Sequence, residues 1–380
     1  MANKAQMVSI IVNNYNYGRF LRQAIDSALN QTHADTEVIV VDDGSTDNSR
    51  EIIAAYGGRI TPLLKDNGGQ TSALNAGYAM SRGRVVCFLD ADDALSLTAM
   101  EIAVSLLAEP DVAKAHWPLW IVDRHGKKTG NLMPSSTLPE GNLRDIVIRE
   151  GPDGHVYSPT SGNAWSRAFL EKVFPIPENK FKFSADAYLG ELAPLFGAIR
   201  TIKEPQGVYR VHGANTYATI PLEEKLEFHL SRYDFFCDVL SDHCRDMGVA
   251  VDRERWKRNS WFQRVILSLQ DITACIPPED TFILVDEDSW GVGETIHGRR
   301  CIPFLERDGQ YWGKPADGGG AIREVERLRK AGANYIVFAW PAFWWLEYYS
   351  GLNQHLRSNF RCSLENDRLI VFDLQASPRG

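Results

Sequence analysis

The segment Phe88-Leu89-Asp90-Ala91-Asp92-Asp93 places three carboxylates directly after an apolar run. In an extended chain, side chains two positions apart point to the same side, so Asp90 and Asp92 can converge on one cation. Carboxylate oxygens favour hard divalent ions, and the predicted cofactor is therefore Mn²⁺ or Mg²⁺. Asp93 is then available for a hydrogen bond to a ribose hydroxyl or for a supporting contact next to the metal ligands. An Asp-x-Asp tripeptide alone also fits a solvated acidic turn.

A second acidic segment follows the apolar run Val38–Val41, and its first carboxylate is Asp42. A carboxylate at this point can accept a hydrogen bond from the N3–H group of a uracil ring. The next polar residues, Ser45, Thr46 and Asp47, are types that cap helix N-termini, so we expect them to be structural. Two apolar runs that each end in paired acids indicate a binding site rather than surface charge alone.

The overall charge limits what the protein can bind. The 380 residues carry 41 Lys and Arg against 49 Asp and Glu, a net charge of −8. This balance argues against a partner that is a nucleic acid, because such binding needs cations that displace counterions from phosphate. An acidic protein that holds a nucleotide diphosphate needs a local metal ion or aimed backbone amides. Six cysteines without a C-x-x-C pair predict free thiols.

Short apolar runs alternate with helical patterns over the first hundred residues. The predicted strands are Val8–Val12, Glu37–Val41, Arg59–Lys65 and Val85–Leu89, and the predicted helices are Tyr17–Asn30, Ser49–Tyr56 and Gly69–Ser81. Strands that alternate with helices favour right-handed βαβ units and a parallel sheet. Ligands bind such sheets outside the carboxyl ends of the strands, which is where the acidic segments lie.

The remaining sequence predicts a helical connector and a second, smaller α/β domain. Residues 110–154 show an irregular pattern, and regular structure resumes at Thr160–Phe174 and Ala185–Phe196. The later predicted elements are a helical region Pro221–Cys275, strands Phe282–Val285, Tyr335–Phe338 and Leu369–Phe372, and helices Gly320–Lys330 and Phe343–Leu356. The predicted domains are therefore residues 1–215, the connector 216–278, and residues 279–380.

The motifs over residues 8–215 resemble the family 2 glycosyltransferases, inverting enzymes with the Rossmann-like GT-A fold that binds nucleotide-diphospho-sugars. The order of several motifs carries this resemblance, and it is more specific than any one of them. They are Val8-Ser9-Ile10-Ile11-Val12-Asn13-Asn14-Tyr15-Asn16, Val41-Asp42-Asp43-Gly44-Ser45, Asn67-Gly68-Gly69 through Asn75-Ala76-Gly77, Phe88-Leu89-Asp90-Ala91-Asp92-Asp93, Ser161-Gly162-Asn163, Ser184-Ala185-Asp186 and Tyr209-Arg210-Val211-His212-Gly213.

The resemblance implies roles for the residues of these motifs in donor binding. Tyr15 is expected against the nucleobase, Asp42 is expected to hydrogen-bond it, and Gln70 and Asn75 are expected along the phosphates or ribose.

The resemblance also implies which residues bind the metal ion. Asp92 is expected to be the main metal ligand with Asp90 beside it, and His212 is expected to contact the metal or the diphosphate. A structural histidine is the alternative for His212.

The sequence departs from the family pattern at two places. Asn13-Asn14 stands where the family usually has Pro-Thr, and Ala185-Asp186 stands where it has a Glu-Asp pair. The surviving carboxylate, Asp186, matches the position of the family's general base, which takes the proton of the acceptor hydroxyl. Its alternative role is a favourable negative charge at a helix N-terminus.

These observations predict an inverting transferase that moves a sugar from a UDP-sugar to a glycan or lipid-linked acceptor. Two alternatives stay open. A sugar nucleotidyltransferase shares the general fold, but it needs a glycine-rich basic loop after the first strand, and Asn13–Asn16 is not such a loop. A non-catalytic nucleotide- or glycan-binding module is the other, and Ala185 in place of glutamate favours it.

Three further segments bear on location and partners. The apolar run Val8–Val12 is too short for a signal-peptide core, so a cytoplasmic protein is expected. Trp256–Leu269 mixes cations with aromatic residues and predicts either a buried amphipathic helix or peripheral contact with the inner face of a membrane. Gly318-Gly319-Gly320 lacks the lysine of a phosphate-binding loop and reads as a turn, and the aromatic run Trp340–Trp345 predicts an interface or a partner site.

Overall fold

The computed structural model describes residues 6–180, 185–213, 222–291 and 295–378. Contacts divide the chain into two compact units, the first comprising Met1–Thr219 and Ser231–Ser260 and the second Ile220–Leu230 and Trp261–Gly380. The helices predicted as a connector, residues 216–278, are thus shared between the two units. Both units contain an α/β arrangement, as the sequence predicts.

The first unit is built from eleven strands and the helices between and after them. The strands are β1 (Val8–Asn14), β2 (Thr36–Asp43), β3 (Thr61–Lys65), β4 (Val85–Asp90), β5 (Ala94–Leu95), β6 (Val112–His116), β7 (Leu119–Val122), β8 (Lys128–Met133), β9 (Asn163–Ser166), β10 (Ala198–Thr201) and β11 (Gly207–Arg210). The helices are α1 (Gly18–Leu29), α2 (Ser49–Ala54), α3 (Gln70–Met80), α4 (Ala99–Leu107), α5 (Arg144–Glu150), α6 (Arg167–Val173), α7 (Ala185–Phe196), α9 (Arg253–Asn259) and, from Ser231 onward, α8 (Leu222–Asp246), whose first residues belong to the second unit.

A seven-stranded sheet in the order β10-β6-β9-β4-β1-β2-β3 forms the centre of this unit. β1 pairs in parallel with β2 and β4, which puts Asn13 beside Asp90 and brings the acidic loops to one edge of the sheet. Successive residues of β1 enter opposite apolar clusters, Ile10 and Val12 on one face and Ile11 on the other. Each central strand is therefore buried on both faces, which explains its continuous apolar sequence.

Helix α3 lies unusually close to the sheet because Gly77 faces it. A Cβ atom at position 77 would come within 2.5 Å of the Ile11 side chain and 3.0 Å of the Val41 side chain. The absence of a side chain thus sets the distance between helix and sheet, and it fixes where Gln70, the first residue of α3, meets the acidic edge.

The prediction of irregular structure over residues 110–154 is wrong. This segment forms β6, the β7–β8 hairpin and α5, and β7 joins a second sheet in the order β5-β11-β7-β8. The pattern was hidden because β6 buries two ionisable side chains, Lys114 and His116, each 1% exposed. Since buried lysine is rare, the alternation of residues in β6 does not resemble that of an interior strand.

The second unit contains its own sheet and core. Its elements are α10 (Trp261–Cys275), β12 (Thr281–Val285), β13 (Thr295–Ile296), β14 (Arg299–Pro303), β15 (Glu306–Arg307), β16 (Gln310–Tyr311), α11 (Gly318–Lys330), β17 (Tyr335–Ala339), α12 (Trp344–Tyr348), α13 (Ser350–Asn359), β18 (Arg361–Glu365) and β19 (Leu369–Asp373). Six strands form a sheet in the order β13-β14-β12-β17-β19-β18. The helix predicted over Phe343–Leu356 is divided into α12 and α13 at Tyr349.

The two unusual segments of this unit have structural explanations. The glycine run forms the first turn of α11, where Gly320 N donates to Asp317 Oδ1 at 2.6 Å, so it is a capped helix start. Within the aromatic run, Trp345 is fully buried and packs against Phe304 at a ring distance of 6.1 Å, while Trp344 is 37% exposed. Most of this run therefore fills the core of its own unit.

The stretch Trp256–Leu269 is not one continuous helix. It is interrupted at Ser260 between α9 and α10, and its apolar residues Trp256 and Val265 are fully buried. The indole of Trp256 donates to Ile148 O at 2.9 Å. The alternative of a buried amphipathic stretch is thus the one that the structure favours. In the four described ranges, no helix combines the length and apolarity that a membrane span requires.

Candidate active site

Asp90 is held at the carboxyl edge of the central sheet by two amides. Its Oδ1 accepts from Asn13 Nδ2 at 2.8 Å and from Gln70 Nε2 at 3.0 Å. Its own N–H donates to Ser161 Oγ at 3.1 Å. β1, α3 and the turn before β9 therefore each supply one group that orients this carboxylate. Asn13, one of the two residues that stand where the family usually has Pro-Thr, thus belongs to the site.

Asp92 points to a different neighbour from Asp90. Its Oδ2 lies 3.0 Å from His212 Nε2, and its side chain is 12% exposed. His212 Nδ1 lies 3.1 Å from a guanidinium nitrogen of Arg19. Because a guanidinium only donates, Nδ1 is the acceptor in this pair and Nε2 carries the proton that is donated to Asp92. The rings of Tyr17 and Phe20 flank the imidazole at 5.3 and 5.1 Å.

Asp93 faces the interior of the protein. It is 2% exposed, and its Oδ1 accepts from Arg210 N at 2.9 Å. The Arg210 side chain donates to Asp92 O at 2.8 Å and to Gln23 Oε1 at 2.6 Å, and so it ties the acidic loop to α1. Two roles were predicted for Asp93, a hydrogen bond to a ribose hydroxyl and a supporting contact next to the metal ligands. Its buried position favours the supporting contact. Sequence reasoning placed Arg210 in a motif without giving it this role.

The crowding of acids shifts the pKa values of Asp90 and Asp93. Burial, together with the neighbouring Asp92 carboxylate, raises the pKa of Asp90 to about 7. Burial followed by the charges of Asp92 and Asp90 raises the pKa of Asp93 well above its usual value. The charge of Asp186 also raises the pKa of Asp90, so the four carboxylates form one electrostatic group. A group of this kind favours a bound cation.

The structure does not form the predicted metal set of Asp90, Asp92 and His212. Across the part of the chain that is described, no three His, Cys, Asp or Glu side chains are arranged to hold a metal ion. The role of His212 as a ligand stays a prediction, and in the structure its Nε2 lies 3.0 Å from Asp92 Oδ2. Two carboxylates remain, and they fit Mg²⁺ or a similar ion, which is commonly bound by one or two carboxylates with water and substrate phosphates.

Tyr15 is presented on a loop that is fixed on both sides. Asn14 Nδ2 donates to Asp42 Oδ1 at 3.0 Å, and the Asn16 side chain accepts from Thr46 N at 2.7 Å. Asn16 adopts a φ of 60°, a left-handed conformation that asparagine tolerates better than most residues. The ring of Tyr15 is 47% exposed. It is thus an open aromatic surface on the loop between β1 and α1, and its stacking on a base stays a prediction.

Asp42 and its neighbour Asp43 have structural partners. The Asp42 side chain is fully buried, and its Oδ2 accepts from Arg50 Nε at 2.8 Å. Asp43 pairs with Lys65 Nζ at 2.6 Å and accepts from Gly69 N at 2.7 Å. An enclosed carboxylate does not reach a base edge, so the base contact of Asp42 stays a prediction that its position does not favour.

The segment after Asp43 supports the Tyr15 loop. Ser45 Oγ accepts from Asn16 N at 2.9 Å, and Asp47 Oδ2 accepts from Gly18 N at 2.9 Å. The residue before α2 is Asn48, and its side chain makes no capping hydrogen bond. Ser45 and Asp47 are therefore structural, as predicted: both hold the loop before α1, and Asp47 Oδ1 also accepts from Ser49 N, in the first turn of α2, at 2.9 Å.

Asn75 lies away from the acidic group. Its Nδ2 donates to Ile176 O at 2.9 Å and to Glu178 at 3.0 Å, and its Oδ1 accepts from Ile176 N at 2.9 Å. The amide thus anchors the segment after α6 to α3. The predicted contact with donor phosphates gains no support from this position, because both ends of the amide are occupied by protein groups.

Asp186 lies in the first turn of α7, where its Oδ1 accepts from Ala187 N at 2.9 Å. Burial raises the pKa of Asp186, while backbone N–H groups and nearby cations lower it. The preceding residue, Ala185, is fully buried in an apolar cluster. A glutamate there would carry a charge into the core, which fits the presence of only one carboxylate, Asp186, in this pair. Ser184, the first residue of the motif, lies outside the described residues.

The fold and the site together define a class of protein. A mostly parallel sheet carries an Asp-x-Asp loop, an exposed aromatic loop and a further carboxylate at its carboxyl edge. This is the arrangement that the order of the motifs predicts for a GT-A glycosyltransferase.

Comparisons with known proteins agree with this class. The family model described as glycosyl transferase family 2 matches residues 9–173. An uncharacterized glycosyltransferase of Nostoc sp. is 34% identical over 283 residues, which are 70% of this chain and 85% of that protein. The uncharacterized glycosyltransferase YibD of Escherichia coli is 29% identical over 57% of this chain and 64% of its own length. The solved structure of residues 1–349 of S. aureus TarS is 18% identical over 70% of this chain and 74% of that fragment, with a TM-score of 0.48.

The chain belongs to glycosyltransferase family 2, and it is a glycosyltransferase with the GT-A fold. The family answers the question that the sequence left open between a transferase, a nucleotidyltransferase and a non-catalytic binding module. The motif residues that end β1, β2 and β4 lie at one edge of the central sheet, which is where the class requires them.

Proposed function

We propose that this glycosyltransferase moves a sugar from a UDP-sugar to a hydroxyl of a glycan or lipid-linked acceptor, with inversion at the anomeric carbon. The observation that carries the proposal is the joint electrostatic group of Asp90, Asp92 and Asp186 at the carboxyl edge of the sheet. Such a group can serve both ends of a transfer, the departing diphosphate and the attacking hydroxyl.

The donor half of the reaction rests on Tyr15 and Gln70. The exposed ring of Tyr15 offers a stacking surface for a base, and its fixed loop limits the entropy lost on binding. Gln70 opens α3, and its amide already contacts Asp90, so it can orient the carboxylate beside the diphosphate. The N-terminus of α3 adds a partial positive charge on the same side.

A divalent ion, Mn²⁺ or Mg²⁺, would be held by Asp90 and Asp92. When bound, it neutralises the negative charge that develops on the departing diphosphate. The chain's own residues prepare for it: Asn13 and Gln70 orient Asp90, and His212 orients Asp92. The raised pKa of Asp90 reflects the same crowding of negative charge that a cation would relieve.

Asp186 is the proposed general base. The acceptor oxygen attacks the anomeric carbon from the face opposite the diphosphate, and the Asp186 carboxylate takes the hydroxyl proton as the new bond forms. A positioned base of this kind typically contributes about 10²–10⁴-fold in rate. The effect of its charge on Asp90 of the acidic loop supports this role over a charge that only stabilises α7.

A panel of nucleotide-sugars tests the proposal. The purified chain is incubated with each donor and Mn²⁺ or Mg²⁺, and release of the nucleoside diphosphate is followed with water as a slow acceptor and with candidate glycans. We expect release from a UDP-sugar that EDTA abolishes. Release from a donor with a different base, or release that EDTA leaves unchanged, would contradict the donor or the metal assignment, respectively.

A further inference from the structure

The second unit carries a cluster of aromatic and charged side chains at the carboxyl edge of its sheet. β12 pairs in parallel with β14 on one side and with β17 on the other, and the chain visits them in that order. β12 thus lies where the path of the chain changes sides, and open α/β sheets bind their ligands outside the carboxyl ends of strands at such a point. Glu287 follows β12 and Trp344 follows β17, so both lie at this edge.

Glu287 fixes two indole rings at this edge. Its Oε1 accepts from Trp344 Nε1 at 2.8 Å and from Trp345 Nε1 at 2.7 Å. Its Oε2 lies 3.2 Å from Lys314 Nζ, and that ammonium lies 4.6 Å from the ring centre of Trp344. Glu287 adopts a φ of 58°, a left-handed conformation that glutamate rarely takes. Backbone strain of this kind clusters at binding and catalytic sites.

Two aromatic rings at this edge stay open to solvent. Trp344 is 37% exposed, and Tyr348, at the other end of α12, is 73% exposed. Their ring centres are 5.7 Å apart, and their planes meet at 66°. Behind them, the buried rings of Trp345 and Tyr349 pack at 6.0 Å from Trp344 and 4.9 Å from Tyr348, respectively. The open rings and the ion pair beside them are called the aromatic corner, which consists of Glu287, Lys314, Trp344 and Tyr348.

The chemistry of the aromatic corner fits a sugar ring. The C–H face of a pyranose is apolar and packs on an aromatic ring, while its hydroxyls need polar partners around that ring. Trp344 and Tyr348 supply the aromatic faces. The half-exposed ammonium of Lys314 and the hydroxyl of Tyr348 supply hydrogen bonds. Because Glu287 already fixes the indole of Trp344, a sugar that binds here has few side chains to order.

The aromatic corner is too small for a protein partner. A stable protein interface takes about 20–30 residues from each side, built around an apolar core. The exposed residues of α12 are Trp344, Glu347 and Tyr348, while Leu346 is buried. A single sugar ring, by contrast, is covered by two aromatic rings and a few polar groups. The family of this chain transfers sugars, so carbohydrate is the class of ligand that its reaction already requires.

We propose that the aromatic corner binds a pyranose unit of a glycan, which gives the second unit the role of holding the acceptor chain. The proposal rests on the proposed function, since it takes the bound glycan to be the acceptor. Trp344 and Tyr348 contact the sugar, and Glu287 is a positioning residue, because its carboxylate holds the indole of Trp344.

Isothermal titration calorimetry of the full chain, without donor or metal, tests the proposal with cellohexaose, chitohexaose and maltohexaose as probes. We expect one of them to bind, and we expect Tyr348→Ala and Trp344→Ala each to weaken its Kd by about tenfold or more. Trp312→Ala is the matched control, because Trp312 is 65% exposed in the same unit and has the Arg307 guanidinium 4.6 Å from its ring centre.

Three results would overturn the proposal. They are no binding of any probe by wild type, an equal Kd in wild type and Tyr348→Ala, and a loss in Trp312→Ala as large as that in Tyr348→Ala. Tyr348→Ala keeps this test decisive if Trp344→Ala does not fold, because the Tyr348 side chain is mostly exposed.

The alternative occupant of an exposed aromatic surface is a second copy of the chain. Analytical ultracentrifugation of wild type and Tyr348→Ala decides between the two. We expect both to sediment alike, and a dimer that dissociates in Tyr348→Ala would overturn the proposal. The proposed function fails in a different assay, because the titrations contain no donor. A wild type that binds a probe but releases no UDP in the panel of nucleotide-sugars would contradict the proposed function and leave the glycan site standing.

Discussion

At the scale of single residues, the site is an acidic loop whose members are each held by a different neighbour. Asp90 is held by amides, Asp92 by an imidazole and Asp93 by a backbone N–H group. The Asp-x-Asp spacing predicts two carboxylates on one side of the chain, but it carries no information on these partners. They come from β1, α3, β11 and the segment after β11, which are distant in sequence.

Tyr15 gives the first prediction. Tyr15→Ala should weaken UDP binding by about 1–3 kcal/mol, because the stacking surface for the base is lost. Tyr15→Phe keeps the ring and should bind UDP almost as wild type does. Isothermal titration calorimetry measures both. Equal affinity of Tyr15→Ala and wild type would place the base elsewhere.

Asp92 gives the second prediction. Asp92→Asn keeps the shape of the side chain but removes its charge, so UDP affinity in the presence of Mn²⁺ should fall to the value found for wild type with EDTA. Asp35→Asn changes an exposed acid at the opposite end of the strands and serves as the control. Metal-enhanced UDP binding that survives in Asp92→Asn would remove this residue from the metal site.

At the scale of elements, the buried strands and their helices were predictable because their apolar runs are continuous. Val85–Leu89 was predicted as a strand and forms most of β4, and Ala185–Phe196 was predicted as regular structure and forms α7. β6 was missed because a buried lysine and a buried histidine interrupt its apolar pattern. Both side chains depend on tertiary partners, Trp165 and Tyr157 for Lys114 and the Pro139 carbonyl for His116, which a local pattern does not reveal.

Gly77 gives the third prediction, which concerns the packing of α3. Gly77→Ala places a methyl group against Ile11 and Val41, and overpacking of this kind should lower the free energy of unfolding by about 1–3 kcal/mol. Gly351→Ala, in a helix where nothing lies near the added methyl, should leave stability unchanged or slightly raised. Urea denaturation separates the two. A Gly77→Ala protein as stable as wild type would show that α3 can move away from the sheet at no cost.

At the scale of the whole molecule, the chain combines a transferase unit with a second α/β unit. The sequence predicts two α/β parts, but the helical region between them is divided at residues 230/231 and 260/261 by contacts that a local pattern does not contain. The candidate donor and base residues all lie in the first unit. The second unit has its own apolar clusters around its six-stranded sheet.

This division gives the fourth prediction. A truncated chain that ends at Ser260 should bind UDP with metal as the full chain does, because it keeps every residue of the donor site. Its solubility should be lower, since Leu226 loses the apolar cluster of the second unit. A folded, monodisperse truncated chain that does not bind UDP would show that the second unit contributes to donor binding.

Turnover of Asp186→Asn tests the central claim most directly. A charge that only favours the N-terminus of α7 is worth about 0.3–1 kcal/mol of stability, and its loss would leave turnover nearly intact. A general base behaves differently, because an amide cannot accept the proton. We predict that Asp186→Asn folds, binds UDP with metal as wild type does, and loses about 10²-fold or more in kcat. A folded Asp186→Asn protein that keeps more than roughly a third of the wild-type kcat would contradict the account.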